Sequence, residues 1–145
     1  MYKAIDIAKY IVSHCSSQDK PVSNLKLQKI LYYSWIDYYK RSKDYLFDDT
    51  ICAWMFGPVI PEVYYEFCVF AGNPINRQYS IDISKNTQKT LDPIIEKYNR
   101  YSVSALVSRS HEKGGAWDRV YSNGIGSRSI IPYPMIVELE CKDAN

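Results

Sequence analysis

The residues of this chain best equipped for chemistry are His111 and Glu112, with Trp117 a short distance behind. A histidine beside a carboxylate can exchange protons with a substrate, provided a third group orients the ring. No orienting partner stands out, and the simpler reading is a histidine that closes a short helix and hydrogen-bonds across to another segment. His14 is the only other histidine. There is no H-E-x-x-H, and neither histidine has a second ligand at metal spacing. Cys15, Cys52, Cys68 and Cys141 form no C-x-x-C pair, and three of them sit among apolar neighbours, so all four are expected as reduced, structural thiols. Gly124-Ile125-Gly126 lacks the third glycine, the preceding strand and the following helix of a phosphate loop. Neither a Walker motif nor a G-x-S-x-G elbow is present. Asp48-Asp49 lies in a polar connector and is expected to face water. No residue is therefore assigned to catalysis, to a cofactor or to a metal, and no enzyme is expected.

The elements that hold these residues follow from apolar periodicity. Ala4, Ala8, Ile11, Val12 and Cys15 recur at helical spacing, which predicts an amphipathic helix over roughly residues 2–15. Ser23 is placed to cap a second helix, from about Asn24 to Arg41, in which Leu27, Ile30, Leu31, Ser34, Trp35 and Tyr38 share one stripe. Ser42–Asp49 reads as a charged connector. Ile51–Phe56 is short, apolar and suited to a strand.

Gly57-Pro58-Val59-Ile60-Pro61 then cannot lie inside a helix or a central strand. Each proline fixes φ and removes a donor, and Gly57 permits a sharp turn. Bulky neighbours make this a buried or half-buried corner. Pro61 and Glu62 suit the first turn of a helix that carries Val63, Tyr64 and Phe67 on its core side and stops at Gly72. Ser84 begins a helix with Leu91, Ile94, Ile95 and Tyr98, in which Pro93 marks either a kink or the true start. Ser102 or Ser104 opens a short helix toward His111, Gly114-Gly115 breaks it, and Trp117–Tyr121 adds one turn. Met135–Leu139, after Pro132 and Pro134, is a helix or a terminal strand. With no repeat and no linker, residues 1–145 read as a mainly α, compact single-domain fold of about five to seven helices, with room for a short β element around residues 51–56 and near the C-terminus.

The bulk properties agree. A chain of 145 residues, 46% apolar and 23% charged, has the balance of one soluble globular domain. No run approaches the ~20 apolar residues of a membrane span, and no signal-peptide core is visible, so a cytoplasmic location is expected. The net charge of +2 and the absence of a Lys/Arg block give no composition signal for nucleic acid. A helix-turn-helix would need a tighter loop than Ser16–Val22, with base-reading residues leading the second helix. Lys26, Lys29, Lys40 and Arg41 flank it instead. The 14 tyrosines include the pairs Tyr32-Tyr33, Tyr38-Tyr39 and Tyr64-Tyr65. Neighbours on a helix point ~100° apart, so some of these rings are expected at the surface, where tyrosine suits a partner.

Three segments together resemble the Panacea antitoxin domain, the SocA-like or GepA-like family of bacterial and phage-associated proteins. They are Val22-Ser23-Asn24-Leu25-Lys26-Leu27-Gln28-Lys29-Ile30-Leu31-Tyr32-Tyr33, then Ala53-Trp54 through Gly57, Pro58 and Pro61 to Tyr64, then Leu106 through Ser110-His111 to Trp117. In the third, Gly115-Ala116 stands where the family often has a proline before the tryptophan. The resemblance implies a non-catalytic antitoxin that neutralises a co-encoded protein toxin by direct binding. One branch of the family implies an alternative, an adaptor that delivers the toxin to the ClpXP protease. A DNA-binding regulator or a cryptic enzyme using His111 fits less well. Within the resemblance, Ser23, Gln28, Gly57, Pro58, Pro61, Tyr64, His111 and Trp117 are structural motif residues. Tyr33, Tyr39, Trp54 and Tyr65 are the candidate partner anchors, because tyrosine and tryptophan dominate interface hot spots. For each of the four, core packing is the competing reading.

Overall fold

The computed structural model describes residues 1–142. Seven α-helices and a two-stranded hairpin are present among them: α1 (Ala4–Ser17), α2 (Asn24–Ser42), β1 (Cys52–Trp54), β2 (Gly57–Val59), α3 (Pro61–Phe67), α4 (Lys85–Asn99), α5 (Val103–Ser110), α6 (Ala116–Tyr121) and α7 (Tyr133–Glu140). Their starts have chemical causes. Ser23, Ser84 and Ser102 each accept a bond from the backbone N–H three residues on, satisfying a donor that the helix leaves free. Lys3 cannot cap α1, so Asp49 does this from a distance: its Oδ1 accepts from the Ala4 N–H at 2.9 Å. Asp49 is thus part of the fold, not simply a water-facing acid.

α2 is the axis. It is buried without a break from Leu27 to Ile36, and α1, α3, α4, α5, α7 and β2 all pack on it. A helix enclosed on every side has no outward arc. Hence Tyr32 and Tyr33 are 2% and 5% exposed, although neighbours ~100° apart on a helix are not both expected to point inward. The expectation holds for Tyr64-Tyr65, where α3 lies at the surface and Tyr65 is exposed. Enclosure also takes in Lys29, which the charge pattern alone places on a cationic face.

Other differences have equally local causes. The connector before β1 is not simply charged, since Leu46 and Phe47 are buried and the Phe47 carbonyl accepts from Trp35 Nε1 at 2.8 Å. α3 ends earlier than expected, tightening into a 3-10 turn (Cys68–Phe70), and Ala71, at φ 52°, makes the reversal expected of Gly72. Pro93 lies inside α4 on its exposed side, so it does not mark the start of that helix, which is Lys85. The C-terminal segment is a helix. Among the described residues its β feature is a single bridge from Ile130 to Cys52. Cys15, Cys52 and Cys141 are buried free thiols, whereas Cys68 is exposed. Among the described residues no helix is long and apolar enough to cross a membrane.

Candidate partner-binding face

The Gly-Pro corner opens the second strand of a hairpin, and the reversal falls just before it, at Met55-Phe56, within the segment 51–56 expected as a strand. β1 and β2 pair antiparallel, with Trp54 opposite Gly57, so only Met55 and Phe56 form the tip. Gly57 has φ 115°, a conformation that a side chain strains. A Cβ there would also stand 2.6 Å from Ser110 Oγ and 2.9 Å from Lys29 Nζ. This position requires glycine twice over, because β2, α2 and α5 meet at its α-carbon.

A lone two-stranded hairpin is marginal in water. Here both of its outer edges are closed. Along β1, Ala53 exchanges bonds with the Ser129 carbonyl (2.8 Å) and the Arg128 N–H (2.7 Å). Along β2 the partners are side chains of α2. Lys29 Nζ donates to the Pro58 carbonyl at 2.9 Å, and Gln28 Oε1 accepts from the Ile60 N–H at 2.9 Å. Gln28 is held in turn by Asn24, whose amide donates to the Tyr64 carbonyl. The helix motif and the corner motif are therefore one bonded unit. This arrangement moves the Lys29 amine: burial lowers its pKa from 10.5 to about 7.

Behind the hairpin, Trp117 Nε1 donates to the Trp54 carbonyl at 2.7 Å. His111 closes α5 as expected, but it stacks on Trp117 at 3.8 Å between centroids instead of bonding across, and its Nε2 is buried without a hydrogen-bond partner. Burial, and then the nearby Lys29, push its pKa down. Ser110 Oγ is engaged with the Val107 carbonyl. The cluster looks catalytic in composition, yet its polar atoms serve packing and the hairpin. Among the described residues no three His, Cys, Asp or Glu side chains gather to hold a metal ion.

In front, the hairpin presents an apolar surface. Met55 and Phe56 are 60% and 57% exposed, and Tyr65 is 58% exposed. The Trp54 ring is half-buried, edge-on to Tyr64 at 5.0 Å, 6.2 Å from Tyr65, and covered by the Arg128 guanidinium at 4.4 Å. A cleft of about 630 Å³ opens beside them, between the tip and the first turn of α2. Of the four anchor candidates the structure brings Trp54 and Tyr65 together here. Tyr33 is stacked on Tyr98 inside the protein, and Tyr39 lies flat on Trp35 in a separate ring cluster with Tyr45 and Tyr133. Met55, Phe56, Asn24 and Arg128 join the face without being expected there. The legible signal is Met-Phe at a strand reversal, where polar turn formers are usual. Arg128 is remote in sequence and carries no such signal.

These features define a mainly helical domain with an aromatic hairpin fixed to its central helix. The chain belongs to the antitoxin SocA-like, Panacea domain family, whose model matches residues 27–118, a span that contains the hairpin, its Lys29 and Gln28 supports, and the His111–Trp117 stack. It is 32% identical over 136 residues to Antitoxin SocA of Caulobacter vibrioides (strain NA1000 / CB15N), covering 83% of this chain and 71% of that protein. No solved structure matches. Membership supports an antitoxin role.

Proposed function

We propose that this chain neutralises a protein toxin encoded beside it by binding the toxin directly, through the face formed by Trp54, Met55, Phe56, Tyr64 and Tyr65, in the cytoplasm and without a catalytic step or cofactor. The observation that carries this is the exposure of Met55 and Phe56 on a hairpin braced along both edges. Water-exposed side chains of that size cost solubility, and fixing them in advance removes ordering entropy from association. A stable complex buries roughly 1,200–2,000 Å², with a few aromatic anchors carrying most of the energy.

The test is co-expression with the product of the adjacent reading frame. The wild-type chain should rescue growth and co-purify with that product. The double variant Met55→Asp/Phe56→Asp should lose at least about tenfold in affinity, as removal of a hot spot does, while keeping the wild-type melting temperature. Full rescue and unchanged co-purification by the variant would move the interface to another face. Toxin half-life with and without ClpXP separates blocking from delivery, and blocking requires it to be unchanged.

A further inference from the structure

The cleft beside the hairpin has a chemical bias that the exposed tip lacks. Its walls include Trp54, Met55, Val59 and Tyr64, and among the described residues no Asp or Glu lines it. Among the same residues its one charged lining group is Arg128. That side chain is exposed, lies over the Trp54 ring, and has no carboxylate within ion-pair distance among the described residues. Its backbone is held at φ 68°, a region costly for a non-glycine residue, by the bond from its N–H to the Ala53 carbonyl. The cation is thus set in place by the same ladder that braces the hairpin.

The opposite wall has the same polarity. Ser23, Asn24 and Leu25 form it, at the start of a 19-residue helix with no acid in its first turn. The backbone N–H groups of Asn24 and Leu25 precede the first intrahelical bond, which Leu27 makes to Ser23, and meet no acceptor among the described residues. Apolar walls, an unpaired guanidinium, two backbone N–H groups without an acceptor and no carboxylate are complementary to one kind of occupant.

We propose that the cleft seats a toxin segment in which a large apolar side chain is followed within a residue or two by Asp or Glu, the apolar group against Trp54 and Tyr64 and the carboxylate on Arg128. This rests on the direct-binding reading above and adds to it the chemistry of the contact. A carboxylate–guanidinium pair in a partly desolvated cleft is stronger than one in open water, and Arg makes it bidentate.

A phage-displayed dodecapeptide library selected on the intact, immobilised chain tests this before the toxin itself is identified. The enriched peptides should share an apolar residue beside Asp or Glu. Synthetic versions should lose at least about tenfold in affinity when the acid becomes Asn or Gln, and again on Arg128→Glu, with Arg128→Met weaker than wild type and Arg128→Lys intermediate. Melting temperatures of the variants control for folding. Enrichment of basic or uncharged peptides overturns the proposal, as does unchanged affinity on Arg128→Glu. Elution as a dimer that Phe56→Asp dissolves also overturns it, because a second copy would then cover the cleft. A toxin that co-purifies equally with wild type and Arg128→Glu removes the acidic contact and leaves direct binding intact, whereas a toxin that co-purifies with neither removes the direct-binding reading.

Discussion

Lys29 has its amine buried against the Pro58 carbonyl, beside Gly57 and within electrostatic reach of His111. Removing an ammonium from water is costly, and among the described residues no carboxylate offsets it, so burial brings the pKa of the amine from 10.5 down to about 7. Between those values the unfolded chain binds more protons than the folded one. Stability contributed by this group therefore rises with pH across that window, by up to ~1.4 kcal/mol per unit. Urea unfolding at pH 7 and pH 9 should show the wild type gaining on Lys29→Met by about 1–3 kcal/mol. Subtracting the variant cancels the titrating groups that do not interact with Lys29; His111, which does, has its pKa held below 6.5 and so lies outside this window. A difference that stays flat would mean that the amine keeps its charge when folded. Nothing in the residue order hints at this. Lys29 follows Gln28 just off the apolar stripe, where a lysine normally reaches water, and only the packing of α5 and β2 over that arc encloses it.

At the level of elements, the hairpin and α2 stand or fall together. β2 has no third strand. Its outer carbonyl and N–H are satisfied by Lys29 and Gln28, so the spacing of two side chains on a helix sets the position of the strand. Gly57→Ala would force a Cβ into Ser110 Oγ and Lys29 Nζ at a backbone angle that already disfavours it. The expected loss is upwards of about 2 kcal/mol in stability, from strain and displaced packing together. Amide exchange should quicken at Ile60 and Val59 before it does in α1. Wild-type stability for Gly57→Ala would show that the three elements separate easily. Much of this unit is legible in the sequence: the α2 stripe, the Ser23 cap, the corner at Gly57 and the helix start at Pro61 each have a local cause. What joins them is not, because polar side chains bonded across elements leave no periodic trace.

The molecule as a whole has one contiguous buried cluster, reaching from Ala4 in α1 to Cys141 just past α7. Because α1, α3, α4, α5, α7 and β2 all pack on α2, partial unfolding of one end would expose the axis. A single cooperative transition is the expected outcome, with tryptophan fluorescence, which samples Trp35 in the core, Trp117 behind the hairpin and Trp54 in front of it, coincident with far-ultraviolet circular dichroism. Two separated transitions would divide the chain into independent units. At this scale class and element order are readable from sequence, since long periodic helices carry their own signal. Exposure is not, since Tyr33 and Lys29 are covered by segments distant in the chain, and the face proposed for a partner emerges from the meeting of residues 24, 54–56, 65 and 128.

The bond from Lys29 to Pro58 also governs reactivity. With its amine wholly enclosed, Lys29 is out of reach of acylating reagents while the corner rests on α2, whereas exposed lysines such as Lys43 and Lys85 react at once. The rate at which Lys29 alone acquires an acyl group therefore counts how often the hairpin lifts, an internal clock for the motion of this face.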